Sequence, residues 1–260
     1  MRSQHLHILI PLEDARIERL PQHTLASVRM RSALAASAAQ SLGWRVTVGE
    51  TVADVPSLLL VGKIGSHSIA QRAPAWLHMI KRSRRLQRPV WVDYTDHHCG
   101  VVGPMTEFYR SALQLADQLV TPSRTLASLA SPWWAGSPVT IRDPFEVNPR
   151  HPQLASSPPW RMLWFGSNAN IGYLCAFLES SENTSVCRSL NIVTNAAGQQ
   201  LFLSWAQRRG AGAVIPAVTF FDWSVANLEV AAQTADIAVI PSDATDPRKT
   251  GVSENRLIRR

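Results

Sequence analysis

At 260 residues, with 45% hydrophobic and 17% charged side chains, the chain has the make-up of an ordinary globular protein and length enough for two domains of about 100–150 residues, which excludes a disordered chain or a disulfide-stapled miniprotein. Its net charge of +7 falls almost wholly in residues 1–150, where Lys81, Arg82, Arg84, Arg85 and Arg88 cluster. No apolar run approaches the roughly 20 residues that span a bilayer, no signal-peptide pattern opens the chain, and Cys99, Cys175 and Cys187 are scattered without a CxxC pair, so free thiols and a cytoplasmic setting are expected.

Taken in order, His5 to Pro11 reads as a strand, with Leu6, Ile8 and Ile10 alternating and Pro11 closing it. Ser27 to Leu42 carries Val28, Leu34, Ala35, Ala38 and Leu42 at near-helical spacing, and Gly43 stands where a glycine ends a helix. Trp44 to Val48 is the next strand, so the chain opens β-α-β and a right-handed parallel sheet follows. Leu58 to Gly62 is a third strand, and its Gly62-Lys63-Ile64-Gly65 turn leads to a helix from Pro74 to Leu86. Pro89 to Tyr94 is a strand ending in Thr95-Asp96-His97-His98; Glu107 to Leu115 is helical, Gln118 to Thr121 a strand, and Pro122-Ser123 opens a helix to Ala130. Val139 to Asp143 closes a first domain over residues 1–145, and the strict alternation of strand and helix predicts α/β architecture.

Residues 146–160, with four prolines and little apolar pattern, read as a linker. A second β-α series over 161–260 begins at once. It has strands at Arg161 to Phe165, Leu190 to Thr194 and Val218 to Phe221, and helices at Ile171 to Leu178, Leu201 to Arg208 and Asn227 to Thr234. The last stretch, ADIAVIPSDATDPRKTGVSENRLIRR, opens on an apolar run, Ala235 to Ser242, expected to be a buried parallel strand ending at a carboxyl edge, where open α/β sheets bind ligands. After a loop with Arg248 and Lys249, Ser253 caps a helix start in which open N–H groups and cations suit a phosphate.

That layout, a strand ending in Pro-Ser, a basic loop and then Ser253-Glu254-Asn255-Arg256-Leu257, resembles the donor-sugar region of GT-B fold glycosyltransferases, above all glycosyltransferase family four. The resemblance implies two Rossmann-like domains and a retaining hexosyltransferase. It implies a nucleotide-diphosphate sugar as donor substrate with no cofactor and no metal, and a glycan or lipid-linked acceptor in bacterial envelope or polysaccharide biosynthesis, with no nucleic-acid partner. Such relatives continue with a Gly-Pro-Val-Val strand and closing helices, so an incomplete second domain and a truncated chain are expected. They also carry two glutamates where this sequence has Gly251 and Arg259. A catalytically inactive binding module or fragment is therefore one alternative, and a nucleotide-sugar epimerase on the same fold is another.

Several residues are candidates for the site. Gly166, Asn168 and Asn170, after the first strand of the second domain, fit phosphate or sugar contacts, or equally a plain capping turn. Arg248, Lys249, Ser253, Asn255 and Arg256 fit the donor pyrophosphate, where cations stabilise the charge that develops as the leaving group departs, or else are exposed loop residues. Trp223 and Ser224 stand where the resemblance places the nucleotide base, while core packing explains the neighbouring Phe220 equally well. Asp96 and His97 are the catalytic candidates, the carboxylate taking a proton from the acceptor hydroxyl and the imidazole bonding a sugar hydroxyl, with capping of the turn as the plainer role. Arg29 and Arg31 suit either an anionic ligand or a solvated helix face, and the cluster from Lys81 to Arg88 either an anionic membrane surface or solvent.

Overall fold

The computed structural model describes residues 4–144, 157–210, 215–243 and 245–246, and these fall into two compact units, the first holding 4–144 with 245–246 and the second 157–210 with 215–243. The first unit opens with β1 (His5–Leu9), a 3₁₀ stretch (Ile17–Gln22) and a π-helical turn (Val28–Ser32) that runs into α1 (Ala33–Ser41). It continues through β2 (Arg45–Gly49), β3 (Leu58–Val61), α2 (Ile69–Arg85), β4 (Val90–Asp93), α3 (Thr106–Leu115), β5 (Gln118–Thr121), α4 (Arg124–Ala130) and β6 (Val139–Thr140). Its six strands are parallel in the order β2-β1-β3-β4-β5-β6, a flavodoxin-like sheet with one strand added.

The period-two alternation of the strands builds two apolar layers. Leu6, Ile8 and Ile10 face Val28, Ala33, Ala36 and Ala39 on one side, while Leu59, Val61, Val90, Val92 and Leu119 face Trp76, Ile80, Phe108 and Tyr109 on the other. Each buried aliphatic side chain contributes about 1.5–3 kcal/mol by leaving water. Gly43 ends α1 as the spacing predicts, with φ +77° in the left-handed region. The helix α2 starts upstream of the expected Pro74, because Arg72 is buried and anchors its first turn, donating to Glu50 Oε1 at 2.6 Å and to Ile64 O at 3.2 Å. Pro74 is thus held inside a helix whose start tertiary contacts decide.

The second unit contains β7 (Trp160–Phe165), a 3₁₀ turn (Asn168–Asn170), α5 (Ile171–Glu179), α6 (Ser181–Ser185), β8 (Cys187–Thr194), α7 (Ala196–Arg208), β9 (Ala217–Asp222), α8 (Val225–Gln233) and β10 (Ile237–Ala238). Its parallel strand order is β10-β7-β8-β9. Met162, Trp164, Leu190 and Ile192 pack under Leu174, Leu178, Phe202 and Trp205, and Leu163, Phe165 and Val193 pack under Leu228 and Ala231. The helix α7 begins at Ala196, earlier than Leu201, because Asn195 accepts the Gly198 N–H at 2.9 Å and caps it. The expected strand from Ala235 to Ser242 is shorter than its apolar run, pairing over Ile237–Ala238 with further backbone bonds from Asp236 N–H to Arg161 O (2.7 Å) and from Val239 N–H to Leu163 O (2.8 Å). Both units are Rossmann-like, each a parallel sheet built from alternating strands and helices. All three cysteines are buried free thiols; burial pushes Cys175 and Cys187 up to about 11.

Candidate functional site

Strand order determines where each sheet opens. In the second unit the chain runs outward from β7 through β8 to β9 and then returns to place β10 on the other flank of β7, so the winding reverses between β7 and β10. The connections on either side of that reversal leave in opposite directions, which parts the loops at the carboxyl edge and creates a crevice there. Gly166, directly after β7, lies at that point. A Cβ on Gly166 would sit 3.0 Å from the Trp164 ring, so the residue is small because the turn folds tightly over a buried indole. Its N–H donates to Val193 O at 3.2 Å and its carbonyl accepts from Thr194 Oγ1 at 2.8 Å, which ties the loop to the end of β8.

Asn168 and Asn170 form the 3₁₀ turn that enters α5, and Asn170 makes no side-chain cap bond. Asn168 Oδ1 accepts from Asn195 Nδ2 at 3.3 Å, so the first two loops of the edge are joined by side chains. Gly198 is needed behind them, since a Cβ there would run into the Thr194 side chain. The third loop is pinned in the same way: Gln199 Nε2 donates to Asp222 Oδ1 at 2.9 Å, and the Trp223 N–H donates to Thr194 O at 3.0 Å. Helices α5, α7 and α8 all direct their amino ends at this edge, where their open N–H groups favour anions.

Ser224 is the N-cap of α8, its Oγ accepting from the Asn227 N–H at 3.0 Å, and the half-buried Trp223 ring packs against the apolar layer of Leu163, Phe165, Val193 and Leu228. Phe220 packs edge-on to Phe202 at 5.8 Å, in keeping with its core reading. Arg248, Lys249, Ser253, Asn255 and Arg256 lie outside the described residues.

The first unit reverses its winding between β1 and β3. Gly62 closes β3 against β1, where a Cβ would meet Leu9 O at 2.8 Å. The next residue, Lys63, forms an ion pair with Asp96, in the loop after β4. Burial alone would raise the Asp96 carboxyl, but the Lys63 ammonium and the adjacent His98 outweigh it and hold the group below its ordinary range. A carboxylate so stabilised is a weaker proton acceptor, which favours a positioning part for Asp96 over that of a general base. Its other neighbour, His98, approaches at 3.9 Å and stacks on Tyr109 at 5.1 Å.

His97 is buried, with Nδ1 at 3.3 Å from Tyr94 Oη, and burial lowers its pKa. The turn that carries it is braced by Arg110, which donates to Cys99 O at 3.1 and 2.9 Å while its guanidinium lies over Trp133. Among the described residues no three His, Cys, Asp or Glu side chains gather into a group that could hold a metal.

Two expectations about basic residues change. Arg31 is a buried member of an ion-paired cluster with Asp93 and Asp143, and Arg29 donates to the carbonyls of His23 (2.6 Å) and Thr24 (3.0 Å), so both are engaged within the first unit. The side chains of Lys81, Arg82, Arg84, Arg85 and Arg88 are exposed around the carboxyl end of α2, where cations complement the helix dipole, and Arg84 pairs with Asp117. No described helix is long and apolar enough to cross a membrane. Sequence reasoning passed over Lys63, which it read only as part of a turn, and Asn195, whose Thr-Asn-Ala-Ala-Gly context carries an N-cap signal.

No protein-family model and no curated protein matches the sequence. Among solved structures the chain is similar to Acinetobacter baumannii MurG, at 15% identity and a TM-score of 0.42 over 91% of this chain and 71% of that one. It is similar also to the DNA-modifying enzyme beta-glucosyltransferase, determined in the presence and absence of its substrate uridine diphosphoglucose, at 11% identity and a TM-score of 0.42 over 93% of this chain and 72% of that one.

Proposed function

We propose that the protein is a glycosyltransferase that takes a sugar from a nucleotide-diphosphate donor and passes it to a glycan or lipid-linked acceptor, in bacterial envelope or polysaccharide assembly. The observation that carries this reading is the seating of β10 beside β7, in register Ile237 to Met162, which puts the Gly166 loop at the winding reversal of a nucleotide-type sheet. The amide rim of Asn168, Asn195 and Gln199 suits hydroxyl-rich and phosphate ligands, and the Asp222 carboxylate suits hydroxyl groups. In this reading the second unit holds the donor, with Gly166, Asn168 and Asn170 near the diphosphate and Trp223 near the base. Arg248, Lys249, Ser253, Asn255 and Arg256 supply the remaining phosphate contacts. The first unit contributes His97 as a contact to substrate, with Asp96, ion-paired to Lys63, in the same loop. Retention of anomeric configuration, a cytoplasmic site of action and contact of the Lys81 to Arg88 cluster with an anionic membrane face belong to the same proposal.

Isothermal titration of the full chain with uridine, guanosine, adenosine and thymidine diphosphates tests it. Saturable binding of one of them, weakened by Lys249→Ala and Arg256→Ala, is expected; absence of binding by all four rejects the donor site. Gly251 and Arg259, which stand where the resembled family has glutamates, favour a second reading, a binding module without turnover. Saturable diphosphate binding with no sugar transferred or hydrolysed from the matching nucleotide sugar selects that reading.

A further inference from the structure

The carboxyl edge of the second unit is unevenly charged. Its loops after β7 and β8, Gly166-Ser167-Asn168-Ala169-Asn170 and Asn195-Ala196-Ala197-Gly198, carry no ionisable side chain, and the loop after β9, Asp222-Trp223-Ser224, carries one, the carboxylate of Asp222. Neighbouring strands lie about 4.8 Å apart, so the ends of β7 and β9 are separated by roughly 10 Å. Three bonds fix the position of Asp222. Gln199 Nε2, in the first turn of α7, donates to Oδ1 at 2.9 Å, Asn227 Nδ2 donates to the Asp222 carbonyl at 2.8 Å, and the Trp223 N–H donates to Thr194 O at 3.0 Å. Asp222 is nonetheless exposed, and among the described residues its Oδ2 takes no hydrogen bond.

An ionised carboxylate accepts hydrogen bonds and donates none. Both lone pairs of Oδ2 are open and Oδ1 keeps one beside the Gln199 bond, so the group suits two neighbouring donors on one ligand. It repels phosphate, whereas the side-chain amides of Asn168 and Asn195 and the open N–H groups entering α5 favour it. A ligand that satisfies both ends is anionic beside β7 and β8 and donor-rich beside β9. A nucleoside diphosphate has this charge pattern when it lies along the edge with its phosphates over Gly166. Two parts of a nucleoside set two donors side by side: the ribose diol, and the ring N–H and amino group of guanine. Trp223, next to Asp222, is the only aromatic residue of the three loops, so a base placed against it brings its own edge and its ribose to the carboxylate.

We propose that Asp222 selects the nucleoside half of the donor, its carboxylate accepting two adjacent hydrogen bonds from the ribose diol or from the guanine edge. The selection rests on the nucleotide-diphosphate reading of the second unit and adds to it a direction for the ligand, phosphates toward β7 and nucleoside toward β9.

Titration calorimetry of the full chain tests it with two comparisons: the best-bound ribonucleoside diphosphate against its 2′-deoxy analogue, and guanosine diphosphate against inosine diphosphate, which lacks the amino group. A preference of about tenfold or more is expected in at least one, because a site built around a donor rejects the analogue without it. Preference in the first identifies the diol and in the second the guanine edge; equal affinities in both overturn the proposal. Asp222→Asn, which keeps the size of the side chain and replaces an acceptor with a donor, is expected to erase the preference while leaving the affinity for inorganic pyrophosphate unchanged. A preference that survives Asp222→Asn, or an equal loss for pyrophosphate, overturns it as well. Binding of none of the diphosphates fails the donor reading, and the carboxylate is then judged by the Gln199 side-chain amide signals in ¹H–¹⁵N spectra with millimolar uridine and guanosine. Their shift with either nucleoside supports the selection, and their indifference to both overturns it.

Discussion

Arg31 and Asp93 form a forked ion pair inside the first unit, with Nε at 3.0 Å from Oδ2 and Nη2 at 2.5 Å from Oδ1. Burial works against the charge on Arg31, but the carboxylates of Asp93 and Asp143 outweigh it and raise the guanidinium above its ordinary value. The pair joins the helical turn after β1 to the end of β4, and Arg31 also donates to Ile141 O beyond β6. Arg31→Met should destabilise the first unit by about 3–5 kcal/mol, because it leaves Asp93 buried without a partner. The double variant Arg31→Met/Asp93→Leu should recover much of that loss in urea unfolding. Strictly additive losses would contradict the pairing.

His7 makes the first unit sensitive to acid. Its Nδ1 lies 2.8 Å from Thr47 Oγ1, its Nε2 is buried without a hydrogen-bond partner, and burial, with the nearby His5, lowers its pKa to about 4. Because the folded value lies below the ordinary 6.5, the unfolded chain binds the proton first as pH falls. The stabilisation is complete above about 6.5 and declines down to about 4, by roughly 3 kcal/mol at most. Unfolding free energies measured between pH 8 and 4 should show this slope, and His7→Gln should flatten it.

The Lys63–Asp96 pair should show its own pH window. The folded Asp96 pKa is depressed, so its contribution is present above the ordinary carboxylate value near 4 and fades as pH falls toward the folded one. Both side chains are partly exposed, so Lys63→Met should cost only about 0.5–1 kcal/mol at neutral pH, and less at pH 3 or in high salt. An equal cost at pH 3 and pH 7 would show that the lysine acts through packing alone.

Ser224 and Trp223 separate capping from ligand contact. Ser224→Ala should cost about 1 kcal/mol of stability through loss of the α8 cap, with little change in diphosphate affinity. Trp223→Ala should weaken nucleotide binding by more than its stability loss explains, if the indole meets the base. Comparing titration calorimetry with thermal unfolding for both variants distinguishes the roles.

Much of the secondary structure was legible because it is written in short-range signals: the alternation of Leu6, Ile8 and Ile10, the Gly43 stop, the Ser123 cap of α4 and the whole of β5. Element starts set by distant partners were not. Arg72 extends α2 upstream of Pro74 by reaching Glu50, whereas the early start of α7 rests on a local Asn195 cap that the apolar pattern alone does not mark. The Asp-His-His sequence marked a candidate site, but Lys63 and Tyr94 are 33 and 2 residues from Asp96, and nothing in their own neighbourhoods announces the contacts they make.

By itself the sequence determined the α/β class and the parallel sense of both sheets, since alternating strands and helices of these lengths connect only by right-handed crossovers. Only the tertiary structure decided that β10 returns to the flank of β7, where Asp236 accepts the Arg161 N–H at 2.8 Å and its guanidinium at 2.6 Å. It alone decided that Arg31 is consumed by carboxylates and that a buried phenol lies 3.3 Å from His97 Nδ1. Strand neighbours and ion-pair partners are chosen by contacts between residues far apart in the chain, and local patterning carries no record of which partner a charged or hydroxyl group will find.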